Sequence, residues 1–259
     1  MPETSGVKSA DRTLVVLEHL AEVGSASFSE LSSDLNLPKS SASALLATLE
    51  GAGWIERDSD RRFTVGLRAW QVGRGYRGHE NIAEKARPLM DALARNTGET
   101  VQLARLDGTE NVYIGISESP HPMRLASSVG MRLPSHATGI GKALLSQLDP
   151  QERAKRVSSV TLTPLTEHTI VDREELLSAL SQCAINNVAL DDEEYVIGCR
   201  CVAVPLHTGS IGIETALSIT MPSFRTTAEW PSDLLPALRR TAAEIREAIG
   251  LKDVPRSTR

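Results

Sequence analysis

Apolar positions follow two different periods along this chain. In the first part the spacing is helical. Leu14, Leu17, Leu20 and Ala21 share one stripe, which predicts a helix over 10–21 ended by Gly24. Ser27 or Ser29 can cap a second short helix running to Leu35, with Glu30 favourably placed in its first turn. Asn36-Leu37 makes a turn, and Pro38 opens a third helix over 39–52 because its fixed φ suits a helix start. Ala42, Leu45, Leu46 and Leu49 form the stripe that this helix buries. Trp54 to Arg57 and Phe63 to Val65 are strand-like runs joined by Asp58-Ser59-Asp60. Helix, helix, tight turn, helix and β-hairpin is the layout of a winged helix-turn-helix. A helical connector over 66–79, with Gly73, Gly75 and Gly78, leads out of it.

After an amphipathic helix over 82–96 the period changes. Val101 to Leu106 alternates, Asp107-Gly108 turns, and Val112 to Ile116 follows as a second strand. Helices are predicted over 137–148, 176–186 and 234–249, and strands over 199–206 and 211–220 around a turn at Thr208-Gly209-Ser210. Antiparallel strands flanked by helices give an α+β class with two domains.

Composition narrows the picture by exclusion. Of 259 residues, 41% are hydrophobic, enough for real cores, yet no apolar run is long enough to cross a membrane. The first ten residues do not read as a signal peptide. The net charge of −5 gives no global support for nucleic-acid binding. From Arg57 to Arg77, however, six arginines stand against only Asp58 and Asp60, a local basic strip that can neutralise phosphates. Cys183, Cys199 and Cys201 make no disulfide framework and are expected as reduced thiols in the cytoplasm.

The candidate chemistry is mostly that of binding. Lys39, Ser40, Ser41, Ser43 and Thr48 lie off the buried stripe of the third helix, where small polar side chains can approach a major groove. The pattern alone favours reading the serines as caps and surface residues. Gly139-Ile140-Gly141-Lys142-Ala143 fails as a P-loop, because His136 and Ala143 stand where glycine and Ser or Thr are required. Its glycines suit either backbone N–H contacts to a carboxylate or a tight packing contact. Asp191 to Glu194 reads as a solvated acidic turn for most of its members, and His136 as a structural histidine. Ser218 and Thr220, two apart in a strand, share a face. No catalytic triad, metal-ligand spacing or cofactor motif is present. An enzyme using Cys201 or His136 and a winged helix serving protein interaction remain as alternatives.

Several segments together resemble the IclR family of bacterial transcriptional regulators over nearly the whole length. They are Val7 to Arg12, Leu37 to Ser41, Leu45 to Glu50, Gly98 to Val101, Leu133 to Ala143, and Asp191 to Glu194 followed by Gly198 to Ala203. The resemblance implies a winged helix-turn-helix (1–75), a linker helix region (76–97) and a GAF-like effector domain (98–259) with a mixed or antiparallel sheet. It implies homodimers paired through the DNA-binding domains, often tetramers, on a palindromic double-stranded operator. Its members control operons, frequently for catabolism of small organic or aromatic acids. By motif the effector would meet Gly139, Ile140, Asp191, Cys199, Cys201, Ser218 and Thr220, with Leu125 on a preceding strand. DNA would meet Lys39, Ser40, Ser41, Ser43 and Thr48 and the wing residues Arg61 and Arg62. One departure stands out. Ala44 occupies a position where the family often has a basic residue, so operator sequence cannot be carried over.

Overall fold

The computed structural model describes residues 7–75, 80–208 and 214–251. The chain divides into two compact units, Met1–Arg77 and Gly78–Arg259. Part of the predicted connector (76–79), of the predicted turn at Thr208-Gly209-Ser210 (209–210) and of the strand predicted over 211–220 (211–213) lies outside the described residues.

The first unit comprises α1 (Lys8–Val23), α2 (Phe28–Asp34), α3 (Lys39–Gly51), the antiparallel pair β1 (Ile55–Arg57) and β2 (Phe63–Val65), and α4 (Leu67–Gly73). Sequence chemistry sets the boundaries. Gly24 adopts φ 78° after α1, a conformation that costs a side-chain-bearing residue more. Ser27, not Ser29, caps α2. Its hydroxyl accepts from the Glu30 N–H, and the Glu30 carboxylate accepts from the Ser27 N–H. Such a capping box satisfies two otherwise unpaired donors and stabilises by about 1 kcal/mol. Val16, Leu20, Leu31, Leu46, Leu49, Ile55 and Phe63 form one core.

Helix α1 buries a partly different stripe from the one predicted, and α3 buries the predicted one. In α1 the core residues are Val16 and Leu20; Leu14 is 57% exposed and Ala21 is also exposed. The helix has apolar residues on two sides, and the packing of α3 and the hairpin selects one of them. In α3, Ala42, Leu46 and Leu49 are buried, while Leu45 is half-buried. The predicted connector is helical only through α4 as far as Gly73, and a turn follows.

The second unit is built on a six-stranded sheet in the order β5-β4-β3-β8-β7-β6, with every pair antiparallel. Its strands are β3 (Thr100–Asp107), β4 (Glu110–Ser117), β5 (Arg132–Pro134), β6 (Ala189–Asp192), β7 (Cys199–Pro205) and β8 (Thr215–Pro222). Both faces are covered. On one, α5 (Glu80–Thr97) and α9 (Leu235–Ala248) pack through Met90, Leu93, Leu238 and Ile245 onto Val101, Leu103, Val202, Leu217 and Ile219. On the other, α6 (Gly139–Leu145), α7 (Pro150–Ser158) and α8 (Arg173–Asn186) pack onto Ala104, Tyr113, Ala189, Ala203 and Ala216. The small residues on that second face let α6 come close.

Sequence periodicity missed β5, β6 and α7. The run from Asp191 is therefore not simply a solvated turn. Asp191 is a buried residue of edge strand β6, and Glu194 is buried beyond it. Leu125 does not sit on a strand. It is half-buried in irregular chain before β5.

The start of α6 is fixed by two close approaches. Thr138 caps it by accepting from the Gly141 N–H and donates to the Asn111 side-chain oxygen. A Cβ on Gly141 would lie 2.3 Å from Ser135 Cα and 2.5 Å from Ser135 O, both backbone atoms that cannot swing aside. Gly141→Ala should therefore destabilise the second unit by at least ~2 kcal/mol, measured as a lower urea midpoint at unchanged slope. A midpoint equal to wild type would show that α6 can slide off the sheet without loss.

Candidate functional site

In the first unit the predicted DNA-facing residues of α3 lie mostly in solvent. Lys39, Ser40, Ser43, Ala44 and Thr48 are exposed on α3, and Ser41 is half-buried. The Thr48 hydroxyl bonds back to the Ala44 carbonyl at 2.8 Å. Beside this face runs an open groove of about 620 Å³ between the N-terminal part of α1 and the length of α3, lined in part by Lys8, Arg12, Ser41, Ala44 and Thr48. Two cations of α1 thus stand beside the position where Ala44 leaves a charge missing. Sequence reasoning overlooked them because they lie some thirty residues upstream of the helix they flank.

The wing arginines differ in what holds them. Asp58 accepts from the Asp60 and Arg62 N–H groups and tightens the hairpin turn. Arg61, at φ 61° on the tip, is exposed. Arg62 turns inward, donating to the Ser25 hydroxyl, the Ser25 carbonyl and the Glu30 carboxylate. The Ser27 N–H and hydroxyl, together with the Arg62 guanidinium, hold Glu30 below the ordinary carboxylate range. Arg57 stacks 4.1 Å over the Phe63 ring and pairs with Glu50. Of these three arginines, Arg61 is the one directed to solvent without such a partner among the described contacts.

In the second unit, strand register gathers the predicted effector residues. Asp191 pairs with Cys201, Cys201 with Thr220, and Thr220 with Thr100, giving one row across four strands. The next row on the same face runs Ala189, Ala203, Ser218, Gln102. The N-terminal turn of α6 lies over them. A Cβ on Gly139 would stand 3.1 Å from Cys201 Sγ and 3.2 Å from the Asp191 nitrogen. Gly139, Ile140, Asp191, Cys199, Cys201, Ser218 and Thr220 are all buried. Leu125 belongs to neither of the two apolar clusters in this unit.

The cluster is polar but electrically muted. Cys201 Sγ lies near the Ser218 and Thr220 hydroxyls and the Ile140 N–H. Burial pushes Cys199 and Cys201 up to about 12, so at neutral pH both are uncharged thiols and poor nucleophiles. The Asp191 carboxyl accepts from the Glu194 N–H at 2.7 Å and the Tyr195 N–H at 3.3 Å. Burial nevertheless raises it to about 7, and the nearby Glu194 adds to the rise. Glu194 itself is paired with the buried Lys142. His136 bonds Thr163 O through Nε2 at 3.2 Å, and burial lowers its pKa. Among the described residues no group of three His, Cys, Asp or Glu is arranged to hold a metal ion. No described helix is long and apolar enough to cross a membrane.

Sequence reasoning also missed Gln102. It is wholly buried on β3, and its Oε1 accepts from both Ser218 Oγ and Thr220 Oγ1 at 3.0 Å.

The chain as a whole has counterparts among known proteins. The model for the IclR helix-turn-helix domain matches residues 9–59, and that for the bacterial transcriptional regulator IclR C-terminal domain matches residues 75–247. The chain belongs to the IclR family. It is a DNA-binding transcriptional regulator of two domains. It is 34% identical over 252 residues to the HTH-type transcriptional repressor AllR of Escherichia coli K12, covering 96% of this chain and 93% of that protein. The Thermotoga maritima IclR structure superposes with a TM-score of 0.74 at 27% identity, covering 94% of this chain and 99% of that one. An IclR homolog from Microbacterium hydrocarbonoxydans, solved in complex with 4-hydroxybenzoate, shares the fold with a TM-score of 0.79 at 24% identity, over 93% of this chain and 98% of that one.

The raised Asp191 carboxyl predicts a pH signature. Its folded pKa, about 7, lies above the ordinary 3.8. The folded state therefore favours the protonated form. That contribution to stability is complete below about pH 4 and is lost as pH rises towards 7. Asp191→Asn, which stays neutral, should melt higher than wild type by an increment that is near zero at pH 4 and greatest above pH 7. An increment independent of pH would place Asp191 in contact with water.

Proposed function

We propose that this regulator controls a catabolic operon in response to a small organic acid or aromatic metabolite. The observation that carries the DNA half is the exposed, small-polar face of α3 flanked by Lys8 and Arg12. In this reading the N-terminal turns of α3 enter the major groove. Lys39, Ser40, Ser41, Ser43 and Thr48 meet bases and phosphates, and Arg61 reaches the adjacent backbone. Arg62 acts from inside the wing, by holding its hairpin to α2.

The effector would lie against Gly139, Ile140, Asp191, Cys199, Cys201, Ser218 and Thr220, with Leu125 as an apolar neighbour. The bound 4-hydroxybenzoate of the Microbacterium homolog supports a ligand of that size class. Val7, Ala10, Leu14, Leu17 and Ala21 recur on α1 at alternating spacings of three and four, and all but the half-buried Leu17 are exposed. That seam suits a second copy of the chain, so we infer a homodimer, which can assemble further to a tetramer and reads a palindromic operator. We place it in the cytoplasm, where its thiols stay reduced. Effector binding shifts the population between DNA-binding states, and a coupling of about 1–3 kcal/mol is enough to switch occupancy.

Gel-shift titration of the full chain against the DNA upstream of its own gene tests this reading, and no specific complex at moderate salt would sink it. Ser41→Glu should weaken that complex at least tenfold through phosphate repulsion. Arg61→Ala should lower the slope of log affinity against log salt by about 1. Arg62→Ala should leave the slope unchanged and lower the melting temperature instead. Equal salt slopes for Arg61→Ala and wild type would remove the wing tip from the interface.

A further inference from the structure

The buried cluster contains a donor that none of the described residues uses. Gln102 is completely buried, and its Nε2 has no hydrogen-bond partner among the described residues. Leaving a buried amide N–H unpaired costs about 1–3 kcal/mol, which a native core rarely tolerates without reason. The rest of the amide is well held. The Ser218 and Thr220 hydroxyls both donate to its Oε1, which fixes the side chain between their two rows of the sheet. Thr220 leads directly to Cys201 and Asp191 on the neighbouring strands. The orphan nitrogen therefore belongs to the same face as the proposed effector residues, on the third strand from one edge of the sheet and the fourth from the other. The cationic Lys142 nearby is already engaged by Glu194.

We propose that Gln102 is the specificity-determining residue of the effector pocket, its Nε2 donating to a carboxylate or carbonyl oxygen of the effector. The proposal rests on reading this cluster as the effector site. Among the residues of the cluster there is no free cation to recognise an acid, so recognition falls to neutral donors. Nε2 carries two N–H groups, and the Ser218 and Thr220 hydroxyls can rotate from Oε1 towards the same ligand oxygen. A hydrocarbon of equal size would leave the amide unsatisfied and be rejected for that reason, while an alcohol offers its N–H groups a single uncharged acceptor and binds less tightly than a carboxylate, whose hydrogen bonds are charge-assisted.

Calorimetric titration of the full-length protein with matched carboxylates, primary amides and alcohols tests this, using two- to seven-carbon skeletons from acetate to benzoate. Wild type should bind at least one carboxylate or amide more tightly than its alcohol. Gln102→Met, of similar shape and without polar atoms, should lose at least about tenfold of that affinity, the worth of one hydrogen bond to a charged group. Gln102→Glu keeps the acceptor for Ser218 and Thr220 and replaces the donor with oxygen. It should lower the ratio of carboxylate to amide affinity at least tenfold, a change of preference that a folding defect does not produce. Unchanged affinities in Gln102→Met, or an unchanged ratio in Gln102→Glu, would overturn the role of Gln102 while leaving the effector site intact. Wild-type protein that binds no carboxylate or amide in the series would overturn the assignment of the effector class, and this proposal with it.

Discussion

The second unit depends on how closely one short helix can approach a sheet. Gly141 lies against the backbone of Ser135, and Gly139 against Cys201 and Asp191. Alanines at 104, 189, 203 and 216 provide the flat surface beneath. Interiors pack at nearly crystalline density, so a single added methyl group here must displace backbone rather than fill space. Because α6 sits so low, the Ile140 N–H, the Cys201 thiol and the hydroxyls of β8 lie near one another. A larger side chain at either glycine would keep the strands and dissolve the cluster.

Within that cluster, charge is suppressed rather than balanced. Burial holds the thiols protonated and brings Asp191 close to neutrality at physiological pH, while Lys142 and Glu194 neutralise each other. A neutral, hydrogen-bonding interior exacts a small desolvation penalty from a small polar ligand and offers directional contacts in return. The first unit works the other way. The polar side chains of its α3 face are exposed, and its ion pairs at Arg57 and Arg62, only partly shielded from solvent, brace the wing.

Much of the architecture was legible in the sequence because local signals and long-range packing agree. Pro38 opens α3 and the Phe63-to-Val65 strand forms as its β-branched and aromatic content predicts. Asp107-Gly108 connects two alternating runs that do pair. Legibility failed where packing chooses among equivalent local options. Helix α1 offers two apolar sides, and nothing local says that Val16 is buried and Leu14 is not. Strand β6 is four residues long and ends in acids, so its burial comes from α6 and β7 rather than from its own composition. The missed α7 is a different case, since Asp149 followed by Pro150 is a strong helix-start signal that a search for apolar stripes passes over. Gln102 was hidden by the alternation itself. In a strand buried on both faces, a polar residue in the off-phase looks like one facing solvent.

Strands β3 and β8 carry a further mechanical property. Val101 and Leu103, Leu217 and Ile219 belong to the layer shared with α5 and α9, while Gln102, Ser218 and Thr220 belong to the opposite one. Consecutive residues thus report to different compartments, yet each peptide plane is common to both. A tilt or translation of these strands around an occupant of one layer would move the side chains that pack against the helices of the other. The sheet is therefore less a partition than a membrane of a drum, struck on one side and heard on the other.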